Sequence, residues 1–142
     1  PEYLYEKDMM EAFDKHIQLP SRFAHPYIIR CSDELLQKVA FDMHQGITAT
    51  APGFFGPQGR VVRLPLTFPQ QNSLLESFEY KGEKVINMEM ETSALYGLGR
   101  GLGHNCLTVC VLVANRINKD FSEDYKPHVE RLIQMVLERL TA

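Results

Sequence analysis

Residues 85–91 (Val85, Ile86, Asn87, Met88, Glu89, Met90, Glu91) read as a strand that ends in acid, and Thr92, Ser93 and Ala94 open a small-residue helix through about Gly99. Few segments restrict a fold as tightly as an apolar strand that meets a helix at two carboxylates. Glu89 and Glu91 lie two apart, so in a strand they share one face while Met88 and Met90 point to the other. Carboxylates crowded at a buried strand end are costly unless something satisfies them. Two readings satisfy them. Either the acids reach solvent or cap the following helix, or at least one accepts hydrogen bonds from the hydroxyls of a polyol. A carboxylate can take both donors of a cis-diol, and such charge-assisted bonds are about twice as strong as neutral ones. A glycosidase acid/base pair fits less well, because its two carboxyl groups must flank the scissile bond.

The rest of the chain supplies further strands and helices. Residues 2–19 carry Leu4, Met9, Ala12, Phe13 and Ile17 at helical spacing, closed by Leu19 before Pro20. A second helix starts after Ser32, a good N-cap, with Asp33 and Glu34 at its positive end. Leu35, Leu36, Val39, Ala40 and Met43 give it one apolar face. Gly46–Ala51 reads as a short strand, and Ser73–Phe78 as a short helix. Leu107–Val113 is continuously apolar, the mark of a strand buried on both faces. Val129, Leu132, Ile133, Val136, Leu137 and Leu140 define an amphipathic C-terminal helix. Strands separated by helices predict a layered α/β fold.

The 142 residues favour one domain, and 44% hydrophobic with 23% charged residues is too apolar for disorder. A net charge of −3 argues against a nucleic-acid or anionic-membrane binder. No apolar run reaches the roughly 18 residues of a membrane span. No signal-peptide pattern opens the chain, and two of the three cysteines (Cys31, Cys106, Cys110) sit in an apolar run, so a cytoplasmic protein is expected. Gly97, Gly99, Gly101 and Gly103 do not form a dinucleotide fingerprint, because Leu102 stands where its third glycine belongs; they read as a close-packed helix end and turn. The five histidines never pair at metal spacing, so no metal site is expected.

The loop Pro52–Arg60 holds three glycines and two prolines around Phe54, Phe55, Gln58 and Arg60, and reads as stiff. An aromatic face stacks on a flat heterocycle. A Gln amide both donates and accepts, so it matches an adjacent carbonyl and N–H. An Arg donates to a carbonyl oxygen and can stabilise a leaving base as its anion. Together they suit a base such as uracil. The alternative is that Phe54 and Phe55 are core while Gln58 and Arg60 are solvated.

Taken in order, Gly46–Ala51, then Phe54, Gln58 and Arg60, then Asn87–Ala94 with Glu89-Met90-Glu91 at its centre, then Val113–Arg116, resemble the nucleoside phosphorylase family, with uridine phosphorylases the nearest members. The resemblance runs from about residue 25 to the C-terminus. It implies a layered α/β/α fold, present here as about half of the usual domain. Residues 1–142 would form the C-terminal portion, without the N-terminal half that holds the family's phosphate site.

The resemblance also implies roles. Phe54 matches the residue that stacks near the nucleoside. Gln58 and Arg60 match the pair that bonds the uracil edge. Met90 matches the ribose-facing methionine, Glu91 the acid that binds the ribose hydroxyls, and Glu89 its neighbour lining the site. Arg116 matches an arginine near the base end; Arg60, Glu91 and Arg116 are the expected catalytic residues. Asn115 stands at or beside the position where purine-specific members carry an aspartate acid, and an amide has no carboxylic proton to give. The implied reaction is phosphorolysis of uridine to uracil and ribose-1-phosphate, with phosphate as co-substrate and no cofactor. The isolated chain is expected to be inactive and to associate with itself or with the missing half. A homo-oligomer is expected. A hydrolytic nucleosidase and a non-catalytic nucleoside-binding or assembly fragment are the alternatives.

Overall fold

The computed structural model describes residues 2–115, 118 and 120–142. The chain divides into two compact units, the first made of residues 1–30 and 44–106 and the second of residues 31–43 and 107–142.

In the first unit, helix α1 spans Lys7–Ile17 and buries Met9 and Ile17. This is the helix expected from the apolar spacing, shortened at its start by a 3-10 turn over Glu2–Leu4. Strand β1 spans Ile47–Thr50, helix α3 Gln71–Ser77, strand β2 Glu79–Tyr80, strand β3 Glu83–Glu89 and helix α4 Thr92–Gly101. β3 is the central strand, with β1 parallel on one side and β2 antiparallel on the other. The β2–β3 hairpin turns through Lys81 and Gly82, both at positive φ, as a two-residue type I′ turn requires. The two-residue strand β2 carries too little periodicity to be read from the sequence. The β1–β3 register runs Thr48↔Asn87, Ala49↔Met88 and Thr50↔Glu89, after an irregularity next to Ile47.

Phe78, just past the end of α3, is the centre of the core. Phe13 meets it edge-on at 5.1 Å between ring centroids and His16 packs tilted against it at 5.6 Å. The His16 ring also reaches the Leu74 carbonyl and the Ser77 hydroxyl through Nε2, tying α1 to α3. Arg30 bridges Glu6 and Glu83 at 3.2 and 2.9 Å. Of the glycines expected to be close-packed, Gly97 and Gly99 are: a Cβ at Gly97 would stand 2.9 Å from the Tyr27 hydroxyl and one at Gly99 would overlap Cys106 Sγ, whereas Gly101 and Gly103 face open space. Tyr27 Oη donates to the Ser93 carbonyl at 2.6 Å. Leu95 and Leu98 on α4, with Leu102 at its C-cap, are exposed apolar side chains.

In the second unit, helix α2 spans Asp33–Val39 and helix α5 Lys126–Thr141. Ser32 caps α2 as expected, its hydroxyl accepting from the Leu35 N–H. Arg139 on α5 clamps the end of α2: it donates to the Val39 carbonyl at 2.6 Å and to both Asp42 carboxylate oxygens at 2.7 Å each. That fork holds the Asp42 carboxyl below its usual range. The Ile133, Leu137 and Leu140 side of the amphipathic α5 helix is exposed.

One expectation fails here. Leu107–Val113 belongs to neither sheet, and Cys110 and Leu112 are exposed, so this run is not a strand buried on both faces. Continuous apolarity makes a strand only where neighbouring strands complete its ladder; here the Val113 carbonyl accepts from the Ser122 N–H at 2.9 Å, and the paired strand begins only at Ala114. Strands β4 (Ala114–Asn115) and β5 (Asp120–Phe121) follow as a short antiparallel pair. Among the described residues no helix is long and apolar enough to cross a membrane, and no group of three metal-ligating side chains is assembled.

Candidate functional site

Because β1 and β3 are parallel neighbours, their C-terminal ends lie side by side. Thr50 is opposite Glu89, and the Ala51 N–H extends the ladder by donating to the Glu89 carbonyl at 2.8 Å. The Pro52–Arg60 loop leaves from the end of β1, and Met90 and Glu91 leave from the end of β3. The two sequence features therefore start from adjacent strand ends, the place where open α/β sheets form binding crevices.

At the acidic junction the structure separates the two carboxylates. β3 stops at Glu89, and Glu91 is already the N-cap residue of α4, with φ −123° and ψ −32°. The expected strand over 85–91 is thus displaced to Glu83–Glu89, and Glu89 and Glu91 do not share a strand face. The cause is local. Helix α4 begins with orphan N–H groups, and Glu89 supplies their acceptor: its Oε2 takes the Glu91 and Thr92 N–H groups at 2.7 Å each. The Thr50 hydroxyl donates to Glu89 Oε1 at 2.5 Å and accepts from the Ser93 N–H at 3.0 Å. Burial pushes the Glu89 carboxyl up, but the bonds from Thr50 and the two N–H groups outweigh it and hold the pKa below the usual value. Glu89 thus pins β1, β3 and α4 together. Glu91 is exposed, with Oε2 accepting from the Met90 N–H at 3.2 Å, and Met90 is exposed beside it.

The loop is built around a 3-10 turn over Gly56–Gln58. The N–H groups of Gln58 and Arg60 both donate to the Phe55 carbonyl at 3.0 Å, and Gly59 closes the turn at φ +73°. Arg60 folds back over it. Its Nη1 donates to Gln58 Oε1 at 2.6 Å and to the Phe54 carbonyl, and its Cζ lies 3.6 Å from the centroid of the Phe54 ring. Phe54 and Phe55 are 51% and 59% exposed, whereas Gln58 is buried. The alternative of core phenylalanines with a solvated Gln58 is therefore overturned. Phe54, Gln58 and Arg60 form one cluster in which the guanidinium sets the orientation of the amide. A charged donor, an oriented amide and an exposed aromatic ring can recognise a flat polar heterocycle.

This sequence matches the model of the phosphorylase superfamily over residues 3–142. The chain belongs to the phosphorylase superfamily. It is similar to a crystal structure of a Trypanosoma brucei nucleoside phosphorylase, described as showing uridine phosphorylase activity, at 31% identity and a TM-score of 0.64. The match covers 95% of this chain and 40% of that one, so the chain spans well under half of its neighbour's length. No curated protein matches it. Its mixed helix and strand architecture is thus a nucleoside phosphorylase-like fold, corresponding to part of the domain.

In this superfamily member Asn115 lies on β4 of the second unit, paired with Asp120, and its Oδ1 accepts from the Asn118 N–H at 3.1 Å. Arg116 lies outside the described residues. Two further residues lie beside the candidate site. Thr50 had a signal: in the parallel register Thr48 and Thr50 face Asn87 and Glu89, and each hydroxyl donates to its partner's side chain. Asn72, on α3, had none. Its Nδ2 lies 3.5 Å from the Gln58 carbonyl, at the outer limit of a hydrogen bond, and its amide packs on Gly59.

Proposed function

We propose that this superfamily member supplies the base- and ribose-binding groups of a uridine phosphorylase. The observation that carries the reading is the Gln58–Arg60 pair, already bonded and stacked, on a loop that leaves the strand end next to the one carrying Glu91. On this reading phosphate attacks the anomeric carbon of uridine. The N-glycosidic bond breaks, its electron pair leaves with uracil, and ribose-1-phosphate forms. Arg60 and Gln58 stabilise the departing uracil anion, and Phe54 lies against the nucleoside. Glu91 binds the ribose hydroxyls, with Met90 against the sugar. Arg116 serves the base end. Glu89 acts chiefly by holding Glu91 in place. Asn115, an amide, cannot protonate a purine nitrogen as an acid would, which favours a pyrimidine. Phosphate is the co-substrate and no cofactor is required. The activity of a nucleoside phosphorylase at 31% identity supports the reading.

The phosphate site is a separate requirement. On this reading it belongs to an N-terminal half, so the purified 142-residue chain is expected to bind uridine and uracil while releasing little uracil. Association with that half, or between copies, and a cytoplasmic location belong to the same proposal. Calorimetric titration tests it. Arg60→Ala is expected to weaken both uridine and uracil by about 10- to 100-fold, the range for losing a bond to a charged group. Glu91→Ala is expected to weaken uridine similarly and leave uracil unchanged. Wild-type affinities in both variants would remove the assignment. Rapid uracil release by the chain in the absence of phosphate would show a nucleosidase instead.

A further inference from the structure

Gln58 and Arg60 can read a base only if the turn that carries them keeps one shape, and much of that shape is imposed from outside the loop. Two consecutive amides at the start of α3 reach two consecutive loop carbonyls. Gln71 Nε2 donates to the Pro57 carbonyl at 2.5 Å, and Asn72 Nδ2 lies 3.5 Å from the Gln58 carbonyl. The Asn72 amide also occupies the space beside Gly59 Cα, so a Cβ there would overlap it. Gly59 sits at φ +73°, the left-handed conformation that lets Arg60 turn back onto Gln58 and Phe54. Asn72 Oδ1 is buried with no partner among the described residues. An unpaired buried acceptor is a net cost to the fold. The same amide that carries this cost reaches the loop backbone through Nδ2 and packs against Gly59.

We propose that Asn72 is a positioning residue for base recognition, holding the Pro57–Gly59 turn so that the Gln58 amide presents one fixed orientation. It touches the loop backbone and acts through Gln58; Gln71 supports it from the neighbouring carbonyl. The inference rests on the reading that Gln58 and Arg60 take the base. It deepens that reading by assigning discrimination between pyrimidines to a contact outside the pocket. Uridine offers a carbonyl and an N–H along the edge where cytidine offers an amino group and an unprotonated nitrogen. A fixed amide accepts one pattern, whereas a loosened amide rotates and accepts both.

The test is titration of uridine and cytidine into the full chain for the wild type, Asn72→Ala, Gln58→Leu and the double variant, with thermal unfolding of each. Asn72→Ala is expected to weaken uridine about tenfold and to bring the uridine-to-cytidine affinity ratio toward one. The double variant is expected to bind as Gln58→Leu does alone, since Asn72 then has no amide to orient. Asn72→Ser, which keeps a hydroxyl donor in a smaller side chain, is expected to recover part of the ratio. Three results would overturn the proposal. A wild-type ratio in Asn72→Ala beside a lost ratio in Gln58→Leu removes Asn72 alone. An equal loss for both nucleosides that adds to that of Gln58→Leu, with a lowered unfolding temperature, makes Asn72 purely structural. An unchanged ratio in Gln58→Leu itself removes the base reading, and the positioning role with it.

Discussion

Glu89 is the residue whose removal most directly tests how the strand ends are held. Its carboxylate accepts the Thr50 hydroxyl on Oε1 and the Glu91 and Thr92 N–H groups on Oε2. Glu89→Ala strips all three donors of their acceptor. Loss of a helix cap costs about 1–2 kcal/mol. The bond from Thr50 adds about 1 kcal/mol, below the usual range for a charged acceptor because the carboxylate is partly solvated. The expected loss is about 2–3 kcal/mol. Glu89→Gln keeps a carbonyl for the two N–H groups, and its new amino group can donate to Thr50 Oγ1. It forfeits only the charge and is expected to cost about 1 kcal/mol. Urea unfolding at pH 7, read from the shift in midpoint at constant slope, measures both.

The pH dependence carries a definite sign. Glu89 has its pKa lowered in the folded chain, so its contribution is fully present above the unfolded carboxylate pKa of about 4.3. It is lost as pH falls through the folded value. The gap between wild type and Glu89→Gln is therefore expected to narrow once pH falls below about 4.3 and to go on closing through the lower folded value. Both variants within about 0.5 kcal/mol of wild type at pH 7, the ordinary scatter of surface changes, would refute the bracket. So would a gap that stayed constant with acid.

Three further outcomes are expected. Gly59→Ala forces a side chain into a left-handed conformation costing about 1–2 kcal/mol and into the Asn72 amide; a lowered unfolding temperature with weakened uridine binding is expected, and wild-type values for both would count against the loop geometry. Phe78→Ala empties the centre of the first unit's core and is expected to cost about 3–5 kcal/mol in urea unfolding; a loss under about 1 kcal/mol would mean that Phe13 and His16 pack elsewhere. Arg139→Lys removes the fork to Asp42 and the Val39 carbonyl, which a single ammonium cannot reproduce; a lower unfolding temperature is expected, and no change would mean that apolar packing and the bond from Lys38 to the Leu140 carbonyl hold α5 to α2 without it.

The sequence by itself determined the local elements whose signals are short-range. Helical spacing placed α1 and α5, the Ser32 cap placed the start of α2, and the glycines and prolines of 52–60 marked a stiff loop. It also carried the family, because the Phe54-Gln58-Arg60 and Glu89-Met90-Glu91 patterns are sequence-local and the superfamily match confirms the membership they implied. Tertiary structure decided what depends on partners far along the chain. Whether Leu107–Val113 is a strand rests on a ladder that no local pattern supplies. Whether Glu89 faces a ligand or a helix end rests on orphan N–H groups two and three residues on, and on Thr50 from another strand. The exposure of Phe54 and the burial of Gln58 invert what hydropathy predicts, because Arg60 bonds the Gln58 amide oxygen and Asn72 reaches its backbone carbonyl, partners that a residue-by-residue reading cannot see. Hydropathy and periodicity act over a few residues, whereas hydrogen-bond satisfaction is settled only when distant donors and acceptors meet.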